Sequence, residues 1–135
     1  MNKLTWTLQI LLALVMALFG GQKVVMAIPD LIAMGMLWIE DFPAWQVRVI
    51  GALEVLGALG LTAPYLLKAL PRVLVPMAAS GLALTMIGAI VTHVVRADPA
   101  PSIVITSALF AMGVFVAVRR YRELPSRTPA QAAAE

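Results

Sequence analysis

From Leu4 to Gln22 the chain carries no charged residue, and three further stretches of similar length repeat the pattern. One runs from Val49 to Leu67 and is broken only by Glu54. One lies between Arg72 and Arg96 with His93 as its sole ionisable residue, and one lies between Asp98 and Arg119. Each is long enough to cross a hydrocarbon core of about 30 Å as a helix. Four such runs joined by short connections leave little else to build, and composition agrees: 61% of the 135 residues are hydrophobic and 13% are charged, against roughly half and a quarter in soluble domains. The expected fold is all-α, an integral membrane four-helix bundle occupying residues 1–118, with spans near 4–28, 44–67, 72–95 and 99–118. A polar, Pro-containing and Ala-rich segment over 119–135 reads as a disordered cytoplasmic tail. A rival reading takes the first run as a signal peptide cut after Ala27, leaving three spans. Its apolar core is long for that role, and Lys23 and Pro29 flank the proposed cut awkwardly.

Basic residues set the orientation. Lys3, Lys68, Arg72, Arg119, Arg120, Arg122 and Arg127 fall on one side of a four-span chain. Lys23, Arg48 and Arg96 fall on the other, with Asp30, Glu40, Asp41 and Asp98. The positive-inside rule puts both termini in the cytoplasm, in a multi-pass plasma-membrane protein of the bacterial inner-membrane type. Trp6, Tyr65 and Tyr121 then lie at the inner interface, and Trp38 and Trp45 at the outer one. The outer connection, PDLIAMGMLWIEDFPAW, is too apolar for an ordinary loop; Asp30 is placed to cap a short interfacial helix from Leu31 to about Ile39.

At about 100° per residue, each span presents one small or polar stripe. The stripes are Thr5, Gln9, Ala13, Met16, Gly20 and Lys23; Gly51, Glu54, Ala58 and Tyr65; Gly81, Thr85, Gly88 and Thr92; and Ser102, Thr106, Gly113 and Ala117. Membrane helices associate through close packing of small residues and hydrogen bonds, so the four stripes are expected to face one another.

Glu54 needs a compensating partner, since a carboxylate at a span centre costs roughly 2.5–3.5 kcal/mol on insertion scales. Counting from the outer interface, Lys23 lies about 6 Å deep and Glu54 about 13 Å, a gap a lysine side chain largely covers. Lys23 is therefore the candidate partner and Arg48 a second one. The pair reads either as a structural bridge or, with Glu54 neutral, as a proton-donating site. His93 is placed to join the outer cluster with Lys23, Arg48 and Arg96. Thr92 and Ser102 complete the candidate ligand-binding or buried polar cluster.

The residue inventory excludes several chemistries. There is no cysteine and one histidine, which rules out disulfides, thiolate metal sites and a bis-histidine haem within the chain, and leaves no evident metal site or cofactor. The net charge of +3 punctuates apolar runs rather than forming a soluble basic face, so no nucleic-acid partner is expected. No nucleophile–base constellation assembles. Catalytic residues are thus unknown, and the chain reads as more accessory than enzymatic on its own.

The segments FGGQK, RVIGALEVLGALGLTAP and AASGLALTMIGAIVTH, carrying Lys23, Arg48, Glu54 and His93, resemble the DoxX-like family of membrane proteins. The resemblance spans the four crossings but not the tail. It implies a small four-helix membrane protein, commonly of unassigned activity, in which those four residues are the family's polar positions. The family name derives from a membrane component of a thiosulfate–quinone oxidoreductase, so the resemblance also implies a link to quinones. Thiol-active relatives of the broader fold depend on cysteines, which this chain lacks. Three functions follow as expectations: an accessory protein binding a small lipophilic molecule, quinone or lipid, in a polar pocket in the outer half of the bundle; a membrane subunit of a quinone-linked oxidoreductase working with a protein partner; and a transporter of protons or a small solute.

Overall fold

In a computed structural model describing residues 2–125, the chain forms four long helices and two short ones, with no strand. The long helices are α1 (Lys3–Val25), α3 (Ala44–Leu66), α4 (Leu74–Val95) and α5 (Ala100–Arg122); α2 (Ile28–Ala33) and a 3-10 turn (Leu37–Asp41) lie between α1 and α3. All four long helices are apolar and long enough to cross a membrane. They run up and down as a bundle, so the start of α1 meets the end of α3, with Trp6 and Tyr65 rings 4.4 Å apart. That end, where α1 begins and α5 ends, is called the terminal end below; the opposite one is the loop end.

Local chemistry accounts for the helix limits. The Asn2 side chain accepts from the Leu4 and Thr5 amides and caps α1. α1 stops at Val25, short of the expected residue 28, because Pro29 within a continuing helix would clash with the carbonyl four residues back. α5 in turn continues four residues past the expected limit of 118. Arg120 is anchored there by bonds to Gln9 and Glu123, so the tail cannot begin at 119. The rest of the expected tail, residues 126–135, lies outside the described residues.

The first connection also differs from the single helix expected over Leu31–Ile39. Asp30 sits inside α2 and not at its cap, which is Ala27. The chain then breaks at Gly35, whose φ of 98° suits glycine alone, before resuming as the 3-10 turn. Leu31, Ile39 and Val47 form a small core beneath it, joined by Trp38 and Phe42.

The main core contains Leu12, Met16, Leu61, Leu82 and Val116. Within it, α1 and α3 approach closely at a pair of glycines. A Cβ on Gly20 would lie 2.8 Å from the Glu54 Cβ and from the Gly51 carbonyl. One on Gly51 would lie 2.6 Å from the Lys23 Cβ. This backbone contact places Lys23 opposite Glu54.

The stripes on α1 and α3 are buried almost as the sequence suggests, including Thr5, Gln9, Gly20, Lys23, Gly51, Glu54 and Ala58. The α4 stripe is not. α4 buries Ala79, Leu82, Ala83 and Met86, while Gly81 and Gly88 are exposed with nothing within 4 Å of an added Cβ. Thr85, Gly88 and Thr92 instead line the loop-end cavity described below, and the two threonines donate to the Gly81 and Gly88 carbonyls at 3.0 and 2.9 Å, so their hydroxyls are satisfied without a facing side chain.

Candidate functional site

At the loop end a cavity of about 500 Å³ opens among all four long helices and the first connection. Met16, Phe19, Met86, Ile105 and Leu109 give it apolar walls, and Met34, Met36, Trp38 and Phe42 close over it from the connection. Phe19 is 41% exposed and Ile105 is 55% exposed, so two wall residues also stand on the outer apolar surface of the bundle. Such a wall is continuous with the face that hydrocarbon would cover.

Polar groups enter this apolar space from all four long helices. Lys23 Nζ donates to Glu54 Oε2 at 2.6 Å, with both residues buried. The ammonium also lies 5.9 Å from the centroid of the Trp38 ring, a cation–π contact that ties the connection to the pair. Glu54 uses only Oε2 in this bond, which leaves Oε1 and the remaining Nζ donors without a protein partner among the described residues.

His93 reaches the cavity by a different device. α4 ends at Val95 with Arg96 as its C-cap, and Ala97 takes a left-handed φ of 53°. The Ala97 amide then donates to Val94 O, and the Asp98 amide to His93 O. This paired closure of a helix end turns the Asp98 side chain back onto the helix it has just left. Its Oδ2 meets His93 Nδ1 at 2.7 Å, while Oδ1 accepts from Arg96 Nε at 3.2 Å. The His93 hydrogen bond holds the Asp98 carboxyl below the ordinary aspartate range; partial burial opposes this, and Arg96 adds to it. A carboxylate on Nδ1 fixes the proton there and leaves Nε2 as the free nitrogen of a cavity-lining ring. Arg96 also pairs with Asp41, joining the α4–α5 turn to the 3-10 turn.

The candidate residues therefore divide. Lys23, Glu54, Thr92, His93 and Ser102 all line the cavity. Arg48 does not, and it does not reach Glu54. Its guanidinium donates to the Lys23 carbonyl in the last turn of α1, which directs it away from the carboxylate. His93 bonds Asp98 rather than Lys23 or Arg48. Asp98 and Asp41 are legible in the sequence only as loop acids, and what signals Asp98 is its position three residues after the end of a histidine-bearing helix. Thr106 also lines the cavity with its hydroxyl bonded to Ser102 O at 2.8 Å. Among the described residues no cluster of three metal-ligating side chains forms.

No curated protein and no solved structure matches this chain. The model of the DoxX-like family does match, over residues 7–116, a segment that begins in the second turn of α1, ends in α5 and contains every polar residue of the cavity. This multi-pass membrane protein belongs to the DoxX-like family.

Proposed function

We propose that the protein is an accessory membrane protein that binds a small lipophilic molecule with a polar head in the loop-end cavity. The observation that carries this reading is the cavity itself. A space of about 500 Å³ suits a single small ligand, and it has an apolar wall reaching the bundle surface and a buried ion pair with a histidine inside. The Lys23 ammonium offers donors, and Glu54 Oε1 and His93 Nε2 offer partners for a ligand carbonyl or hydroxyl. A quinone head has this chemistry, and its isoprenoid or alkyl part suits the apolar wall. The distribution of basic residues supports placing both termini in the cytoplasm, so that the cavity and its covering connection lie in the outer half of the membrane.

Extraction of the purified protein with organic solvent, followed by mass spectrometry, tests this. Wild-type protein should release one lipophilic compound in near-stoichiometric amount. Ala89→Phe, which adds bulk to the α4 wall of the cavity and leaves both residues of the ion pair in the chain, should lower that amount about tenfold, the effect of about 1.4 kcal/mol of lost binding. Equal retention by the two proteins would place the compound elsewhere and end the proposal.

A further inference from the structure

The terminal end of the bundle holds a second hollow, of about 260 Å³. Trp6, Tyr65, Arg72 and Arg120 form its walls, and Glu123 and Leu124 its edge. Trp6, Arg120 and Glu123 lie outside the segment matched by the family model, whereas Tyr65 and Arg72 lie within it.

Its electrostatics are unbalanced. Arg120 is 7% exposed; its Nε donates to Gln9 Oε1 at 2.7 Å and its Nη1 to Glu123 Oε2 at 2.6 Å, while Nη2 has no acceptor. Arg72 makes no ion pair or side-chain hydrogen bond among the described residues, and its guanidinium lies 4.1 Å over the Tyr65 ring. The Arg120 guanidinium lies 4.3 Å over Trp6. Two cations thus face one carboxylate, and that carboxylate is already engaged. Stacking on a ring fixes the plane of the Arg72 guanidinium while leaving its edge donors open, which is the geometry that grips a phosphate. Holding the side chain in place beforehand also reduces the entropy lost when an anion binds.

We propose that this hollow binds the phosphate of an anionic phospholipid headgroup, with Arg72 as the main contact. The surroundings favour a lipid over a free anion. Leu4, Leu66 and Leu67 are more than half exposed beside Trp6 and Tyr65, which offers acyl chains an apolar surface next to the headgroup. Paired aromatic and basic residues at helix ends match the depth at which headgroups lie.

Native mass spectrometry of the detergent-solubilised full chain tests the proposal, with phosphatidylglycerol or phosphatidylcholine added. Wild type should retain phosphatidylglycerol about tenfold more than phosphatidylcholine, the worth of one good charge-assisted contact. Arg72→Gln alters an exposed side chain and should abolish that preference. Arg122→Gln removes the same charge at the same end but outside the hollow, and should keep it. Equal retention of the two lipids, or equal loss in both variants, would overturn the proposal. Displacement of the lipid by millimolar inorganic phosphate would assign the hollow to a free anion and overturn the lipid reading. None of these outcomes depends on what fills the loop-end cavity.

Discussion

Each end of the bundle buries a cation, and the two ends compensate it differently. At the loop end Lys23 meets a full counter-charge, Glu54, across the α1–α3 contact. At the terminal end Arg120 meets the neutral amide of Gln9, two aromatic rings and an exposed carboxylate at its rim. The first arrangement is charge-neutral, and its unused polar atoms face an apolar cavity, which suits an uncharged ligand. The second leaves positive charge over and suits an anion. The difference follows from the acid, not from the depth of the cations, since Lys23 and Arg120 both sit in the last turn of their helices. Glu54 lies in the middle of α3 and needs a formal counter-charge, whereas Arg120 has no mid-span acid to meet and is spread over dipoles and rings.

The largest test of this contrast is Glu54→Leu. Removing one member of a buried pair leaves Lys23 uncompensated and should cost about 3–5 kcal/mol, measured by denaturant unfolding in detergent followed by circular dichroism. The double variant Lys23→Met/Glu54→Leu should recover to within about 1 kcal/mol of wild type, since an apolar pair of similar size removes the desolvation cost along with the attraction. A double variant that stays folded yet loses the extracted lipophilic compound would show that the pair serves the ligand rather than the fold. Arg120→Met should cost less, about 1.5–3 kcal/mol, the worth of hydrogen bonds to a charged group. It leaves behind only a neutral Gln9, which keeps its bond to the Leu61 carbonyl at 2.6 Å, and a Glu123 side chain open to solvent. If Arg120→Met proved more damaging than Glu54→Leu, the contrast between the two ends would fail.

The same contrast explains what could be read from the sequence. Four spans, and the side of α1 and α3 that turns inward, follow from uncharged run length and helical periodicity. Glu54 is legible because a charge in mid-span is rare, and Lys23 because its depth can be compared with that of Glu54 along antiparallel helices. Arg120 is not: a basic residue at a helix end has an ordinary reading as a topology signal, and nothing local says that α5 packs beside Gln9, 111 positions away. The α4 stripe is open for a related reason: Thr85, Gly88 and Thr92 face the loop-end cavity and not a packed helix. A threonine bonded to its own helix is polar by type and satisfied in fact, so its presence does not require a facing helix. Arg48 shows the limit of reach arguments, because a nearby backbone carbonyl competes for a guanidinium as well as a distant carboxylate does.

The smallest expected effect sharpens the comparison at the loop end alone. Ala97 holds a left-handed φ of 53° so that the Asp98 amide can close α4 onto the His93 carbonyl. A Cβ in that region costs roughly 1–2 kcal/mol, and glycine avoids most of it while giving back part in unfolded-chain entropy. Ala97→Gly should therefore stabilise the protein by about 0.5–1 kcal/mol in the same unfolding measurement, with the Asp98–His93 bond retained. The terminal hollow, at the opposite end of the bundle, should keep its lipid preference unchanged. Destabilisation by this substitution would mean that the α4–α5 turn is not closed as described, and the orientation of His93 into the cavity would lose its support.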